Sequence, residues 1–412
     1  MFDNRLTRKD LIMNRKKIAI VNVFFSPQAI GGATRVVMDN VDVLIDDYNN
    51  KYNLVAFTTN HEMQEPHSIY TYLYKGVRVY RAGVIHRVNM DWHARDEKMK
   101  HLFKDFLLFE QPDVVHFHCV QRLSASIVEA TLELGIPYVV TVHDAWWISD
   151  HQFLMDQNGR IYAEAHPDPF NPALLPDEIN LSDSTERRAF LKYLLSRANL
   201  VQIVSEAFAR IYRKNGVINL TVNRNGVQPR EWEPRGISSR RKICVAHIGG
   251  MSDHKGYHLF KQALSSFCFK NLDALVVDHA ASEDSKVVEQ WGSVTTRFIR
   301  KVPQRQVETL FSQIDVLVAP SIWPESYGLV TREATAAGVW VICSNKGGIG
   351  EDVLENRSGW VIEPTLENLI IAFKKLDQFE QAPSPDIESI NAIRLVSDQV
   401  RELDVQYQEI VG

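Results

Sequence analysis

The chain has 412 residues, of which 45% are hydrophobic and 24% charged, and a formal net charge of −5. A single core stops growing at roughly 250–300 residues, so this length implies two domains, and the composition supplies apolar material for two cores. The slight acidity excludes the basic excess of a nucleic-acid binder, and no apolar run reaches the ~18 residues of a membrane-spanning helix.

Residues 1–12 read as a lead-in before the first strand. The basic residues Arg5, Arg8, Lys9, Arg15, Lys16 and Lys17 fit either a solvated tail or contact with an anionic membrane surface. Ile18–Phe25 is too short for a signal peptide and reads as a strand. The expectation is a cytoplasmic protein, either free or peripheral at the inner face of the membrane.

Leu54–Thr58, Val114–Phe117 and Tyr138–Val142 follow as short, β-branched, almost wholly apolar runs. Such runs suit a parallel sheet buried on both faces. Helical patterns at Arg35–Ile45 and Ser124–Leu134 alternate with them, which argues for βαβ units. Trp147–Thr185 breaks the alternation with prolines and weak periodicity, and reads as a long irregular insertion. A stretch from Gln228 to Arg241, with Pro229, Pro234 and Gly236, reads as a linker. The pattern then restarts. Lys242–Ile248, Ala274–Asp278, Asp315–Ala319 and Val339–Cys343 are strands; Tyr257–Phe267, Gln304–Phe311 and Leu329–Ala337 are helices. Two α/β domains result, residues 1–235 and 236–412, with the terminal helix free to return onto the first. Cys119, Cys244, Cys268 and Cys343 form no CxxC pair and read as buried free thiols.

Glu325 and Glu333, eight steps apart, lie within the strand-to-helix passage Pro320 to Gly338. Were that stretch fully helical, eight steps would span about 12 Å, comparable to a nucleotide-sugar. A helix N-terminus opening near Gly328 would favour an anion between the two carboxylates. Gly249-Gly-Met-Ser-Asp-His-Lys-Gly256 is a glycine-rich exit from a strand, where backbone can approach a phosphate and Lys255 adds a charge. Gly31-Gly32-Ala-Thr-Arg35 opens a helix after the first strand but lacks the G-x-G-x-x-G spacing of a dinucleotide site. Tyr138–Val142 delivers His143 and Asp144 to the carboxyl edge of its sheet, where open α/β sheets bind ligands. Trp146 and Trp147 are equally suited to stacking on a sugar or to packing under the insertion. His116 and His118 alternate on one strand face; no third metal ligand accompanies them, and structural or acceptor-side roles fit better.

Glu325-Ser-Tyr-Gly-Leu-Val-Thr-Arg-Glu333 resembles the E-x7-E motif of glycosyltransferase family 4. Asp315–Ser321, Gly347-Gly-Ile-Gly-Glu-Asp352 and Asn356–Trp360 resemble the surrounding text of that family. The resemblance runs from about residue 16 to 364. It implies a GT-B fold, two Rossmann-like doubly wound domains facing across a cleft that closes on the donor. It implies a retaining transferase that moves a sugar from a nucleotide-sugar to a saccharide or lipid-linked acceptor, in polysaccharide or glycoconjugate assembly. The implied catalytic residues are His143, Glu325 and Lys255. The implied donor contacts are Gly31, Gly32, Gly250, Lys255, Glu325, Tyr327, Gly328, Leu329 and Glu333, with Glu333 on the ribose. Arg35, Asp144, Trp146 and Trp147 fall on the acceptor side. No metal or other cofactor is implied. The family's GR-x4-KG segment carries an arginine where this chain has Gly250; His254 and Arg35 are candidate replacements. That departure leaves a second reading open, a catalytically inactive nucleotide-sugar-binding partner.

Overall fold

The computed structural model describes residues 15–28, 31–60, 65–165, 174–229, 242–281, 287–303 and 306–412. The lead-in at 1–12 and most of the linker lie outside them. The chain divides into two compact units: Met1–Asp156, Glu164–Gly226 and Val396–Gly412 form the first, Gln157–Ala163 and Val227–Leu395 the second. Among the described residues no helix is long and apolar enough to cross a membrane.

The first unit is an eight-stranded sheet. Its strands are β1 (Lys16–Val21), β2 (Tyr52–Thr59), β3 (Ile69–Tyr74), β4 (Val77–Ala82), β5 (Val114–Phe117), β6 (Tyr138–Val142), β7 (Leu200–Ile203) and β8 (Leu220–Val222), in the order β3-β4-β2-β1-β5-β6-β7-β8. All pairs are parallel except β3–β4. Ile18 sits between Leu54 of β2 and Val114 of β5; Ile18 and Ile20 face one hydrophobic core and Ala19 and Val21 the other, so both faces of the strand are covered. This is why the strands are apolar without alternation. The helices are α1 (Gly31–Asp47), α2 (Glu97–Glu110), α3 (Ser126–Glu133), α4 (Leu181–Arg197), α5 (Glu206–Lys214) and α11 (Val396–Val411). Asp96 caps α2 by accepting from the Met99 N–H, and Ser205 caps α5 by accepting from Phe208.

The terminal helix α11 belongs to this unit. Val396, Val400, Leu403 and Tyr407 form its buried stripe. Polar contacts fix its register: Asp404 accepts from the Tyr52 hydroxyl and the Lys51 ammonium, each at 2.7 Å, and the Gln399 side chain accepts from the Gly226 N–H.

The second unit is a seven-stranded sheet: β9 (Ile243–His247), β10 (Leu272–Asp278), β11 (Val288–Trp291), β12 (Val294–Arg300), β13 (Val316–Ala319), β14 (Trp340–Ser344) and β15 (Gly359–Ile362), in the order β11-β12-β10-β9-β13-β14-β15. Only β11 runs antiparallel. Its helices are α6 (Tyr257–Ser265), α7 (Val307–Phe311), α8 (Leu329–Ala336), α9 (Leu366–Asp377) and α10 (Ile387–Asn391).

Three expectations change. The first strand ends at Val21, because the Asn22 side chain donates to the Phe24 carbonyl and accepts from the Cys119 N–H, turning residues 22–25 into a loop. The insertion is helical from Leu181, where Asn180 and Asp183 form a capping box. Of the four free cysteines, Cys268 is exposed rather than buried.

Candidate functional site

In the second sheet the strand order reverses at β9, with β10 on one side and β13 on the other. The carboxyl ends of β9 and β13 therefore flank a topological switch point, where open α/β sheets bind ligands. β9 leads into the Gly249–Gly256 loop, and β13 leads into Pro320–Gly328. These loops meet through side chains. The Lys255 Nζ donates to Glu325 Oε1 at 2.6 Å, and the Ser321 hydroxyl donates to Glu325 Oε2 at 2.6 Å. Burial alone would raise the Glu325 pKa; the charge of Lys255 and the two donated hydrogen bonds outweigh it and hold the carboxyl below its ordinary value. Glu325 is thus an ionised carboxylate with both oxygens engaged.

The backbone of Glu325 is held as firmly. It bridges to Gly347, and its carbonyl accepts from the Gly348 N–H at 2.7 Å. Gly347 has φ +73°, and a Cβ there would lie 2.2 Å from the Glu325 carbonyl oxygen. Only glycine permits this approach.

Gly328 caps α8, and Leu329 is its first residue. The passage from Glu325 to Glu333 is thus half loop and half helix, and the 12 Å helical span does not apply. Glu333 is buried within α8. Arg332, which the sequence did not single out, carries the surrounding structure. Its guanidinium donates to the carbonyls of Tyr327, Gly348 (2.8 Å) and Ile349 (3.2 Å) and pairs with Asp352 at 2.7 Å. It also lies over the Tyr327 ring at 4.0 Å, so Tyr327 is buried against it. Ser321 closes the family-like run Asp315–Ser321 without a role of its own in the sequence; its place one residue past Pro320, at the strand's carboxyl end, is the signal for one.

The two candidate replacements for the family arginine are otherwise placed. His254 lies edge-on to Trp323, and burial followed by the Lys255 charge holds its pKa below the ordinary value. Arg35 lies 3.7 Å from Asp39 on its own helix.

In the first unit, His143 follows β6. Its Nε2 lies 3.0 Å from His118 Nδ1, and the His118 ring stacks on His116 at 4.1 Å. His116 is locked in turn. The Thr141 hydroxyl donates to Gln202 Oε1, so it accepts from His116 Nε2, leaving Nδ1 to accept from the Tyr407 hydroxyl at 2.5 Å. The histidines are a ladder, buried at His116 and His118 and half-buried at His143, and no group of three or more His, Cys, Asp or Glu among the described residues could hold a metal ion. Gly31 and Gly32 open α1 and are exposed.

The acceptor-side reading of Trp146, Trp147 and Asp144 meets a packing constraint. Trp146 and Trp147 are 2% and 3% exposed, so neither presents a face to a sugar. The Trp146 indole donates to the Asp91 carbonyl, and buried Arg187 covers its ring at 4.8 Å. Arg187 also donates to the carbonyls of Trp92, Ser149 and Trp146, pinning the insertion. Asp144 is buried and accepts from the Trp146 N–H, Gln121 and Gln152.

The ladder has a pH signature. Burial pushes His116 and His143 down to about 3 and 4, and His118 well below its ordinary value. The unfolded chain binds these protons near pH 6.5 and the folded chain does not, so stability falls as pH drops from about 6.5 toward 4. Asp144, pushed up to about 6 by burial, works in the opposite sense between about 4 and 6. Three histidines outweigh one aspartate. The urea midpoint will fall on acidification across this window, and His118→Gln will make the fall shallower; a flat profile would contradict the ladder.

Two doubly wound α/β units, one with a charged site at its switch point, define the GT-B class of glycosyltransferase fold. Two family models divide the chain: Glycosyltransferase Family 4 matches residues 30–231, and Glycosyl transferases group 1 matches residues 230–385. The chain belongs to the family 4 type of glycosyltransferases. The glycogen synthase of Mycobacterium tuberculosis is 28% identical over 264 residues, 60% of this chain and 56% of that one. The chain spans between 35% and 59% of the length of several curated relatives it matches. Among solved structures, sucrose-phosphate synthase from Thermosynechococcus elongatus has a TM-score of 0.69 at 16% identity, covering 96% of this chain and 99% of that one. HepE from Anabaena, in complex with UDP and glucose, has a TM-score of 0.65 at 15% identity, covering 96% and 100%. Both share the fold.

Proposed function

We propose that this chain is a retaining glycosyltransferase that moves a sugar from a nucleotide-sugar to a saccharide or lipid-linked acceptor. One observation carries the reading: the Lys255–Glu325–Ser321 cluster at the carboxyl ends of β9 and β13, beside the start of α8. Glycosyl transfer places growing negative charge on the departing diphosphate and positive charge on the sugar. A fixed ammonium and aligned amides meet the first; a fixed carboxylate meets the second. Glu333, one helical turn further on, is assigned to the ribose, His143 to catalysis and the diglycine start of α1 to the donor. The known complex of HepE with UDP and glucose supports a nucleotide-sugar as donor.

Both Glu325 oxygens are occupied, which makes it a poor nucleophile. The reading is therefore a one-face transfer in which the leaving phosphate takes the acceptor proton, rather than a double displacement through a glycosyl-enzyme. Lys255 and the amides neutralise the leaving group, and no divalent metal is assigned. Incubation with UDP-, GDP- and ADP-sugars and a mixed saccharide acceptor pool will release nucleoside diphosphate and give product with the donor's anomeric configuration by NMR. Inversion would overturn the one-face mechanism. Binding of a donor with no release would favour the inactive partner reading, for which Gly250 is the motivation.

A further inference from the structure

The Gly249–Gly250 turn lies between two side chains able to carry positive charge. On one side the Lys255 methylenes lie 3.6–3.7 Å from where a Gly249 Cβ would be; on the other, the His279 ring lies 3.3 Å from where a Gly250 Cβ would be. His279 follows β10, the neighbour of β9, and is exposed. Gly250 has φ +81°, a conformation in which a side chain is strained, and any side chain there would first meet the imidazole. The turn is also oriented. His247 Nε2 donates to the Gly250 carbonyl at 2.9 Å, and in a trans peptide the Met251 N–H then points the opposite way.

Resting on the transferase reading, we propose that His279 is a donor-phosphate-binding residue that together with Lys255 brackets the Gly249–Gly250 turn, supplying the cation that Gly250 cannot.

The protonation state dictates how it acts. Neutral imidazole has one N–H donor and one acceptor nitrogen, and only the protonated ring brings a full positive charge to a phosphate oxygen. The ring takes that proton from solvent when the donor binds. Burial and the Lys301 charge lower its pKa, and the Ile248 carbonyl and the Asp278 charge raise it, the net direction being down. The ligand-free ring is neutral at pH 7, and donor binding takes up one proton at His279. A charge-assisted hydrogen bond of this kind is worth about tenfold in affinity.

The probes are UDP-glucose, GDP-mannose and ADP-glucose, whose diester phosphates keep their charge across the range. Calorimetry in buffers of differing ionisation enthalpy reads affinity and proton uptake together. From about pH 8 to about pH 6 the native chain will gain about tenfold in affinity for the donor it binds, with uptake of one proton. His279→Gln will bind that donor with a flat pH profile and no uptake. His254→Gln will keep the native profile. A native-like profile in His279→Gln, with Glu333→Ala still abolishing binding, would overturn the role of His279 and leave the transferase reading standing. Binding of none of the three by the folded native chain would overturn both.

Discussion

Replacing Lys255 with methionine will lower kcat/KM by about a thousandfold and also reduce stability. The two effects have separate causes. In the reaction, Lys255 is the fixed ammonium nearest the proposed leaving diphosphate, and loss of one preorganised charge of this kind costs about 3–4 kcal/mol in the transition state. In the resting protein, the same substitution leaves Glu325 buried beside Ser321 alone. Breaking a fully buried pair costs about 3–5 kcal/mol; the Lys255 side chain is 24% exposed, so a loss nearer ~2 kcal/mol is expected. Activity assayed well below the unfolding transition isolates the first effect, and a urea melt measures the second. The Glu325 carboxyl loses its main ionising partner, so the variant will lose stability further as pH rises. Lys255→Arg will restore more stability than turnover, because a guanidinium keeps the charge without the ammonium's position. Native turnover in Lys255→Met would remove Lys255 from the mechanism.

Arg332→Met will cause the largest loss of stability of any single change near this site, about 3–5 kcal/mol. The guanidinium is essentially unexposed, with a 2% exposed side chain. It ties the Tyr327, Gly348 and Ile349 carbonyls to Asp352. Methionine fills much of the volume and satisfies none of these acceptors, so each carries a desolvation cost. Gly348 also holds the Glu325 carbonyl, so the damage reaches the proposed donor site. Nucleotide affinity of the fraction that folds will fall too. A urea midpoint within about 0.5 kcal/mol of native would show that these contacts are dispensable.

The centre of each sheet was legible because β1, β5, β6, β9, β10, β13 and β14 are buried on both faces, and such strands announce themselves as unbroken apolar runs. The edges were not. β3 is exposed except for half-buried Tyr72 and Tyr74, and β11 is largely exposed; their pairing rests on a neighbour rather than on their own pattern. Within the candidate site, Glu325, Lys255 and the Gly249–Gly250 turn stood out by motif. Arg332 did not, because an arginine beside a glutamate on a helix reads as a solvated face until the Gly347–Ile349 loop is folded against it. His118 gained a hydrogen-bonded contact with His143 only when β5 and β6 paired. Trp146 and Trp147 left two readings equally open. Tandem tryptophans beside a ligand-facing strand end invite a stacking role, and only the distant Arg187 and Asp91 show that the indoles are core.

The central claim is that the second unit binds the nucleotide diphosphate of a sugar donor. Calorimetric titration with UDP, GDP and ADP and their common sugar conjugates, run on the native chain and on Glu333→Ala, tests it most directly. The account predicts binding of one nucleotide series by the native chain and its loss in the variant. A folded native chain that binds none of them would contradict it.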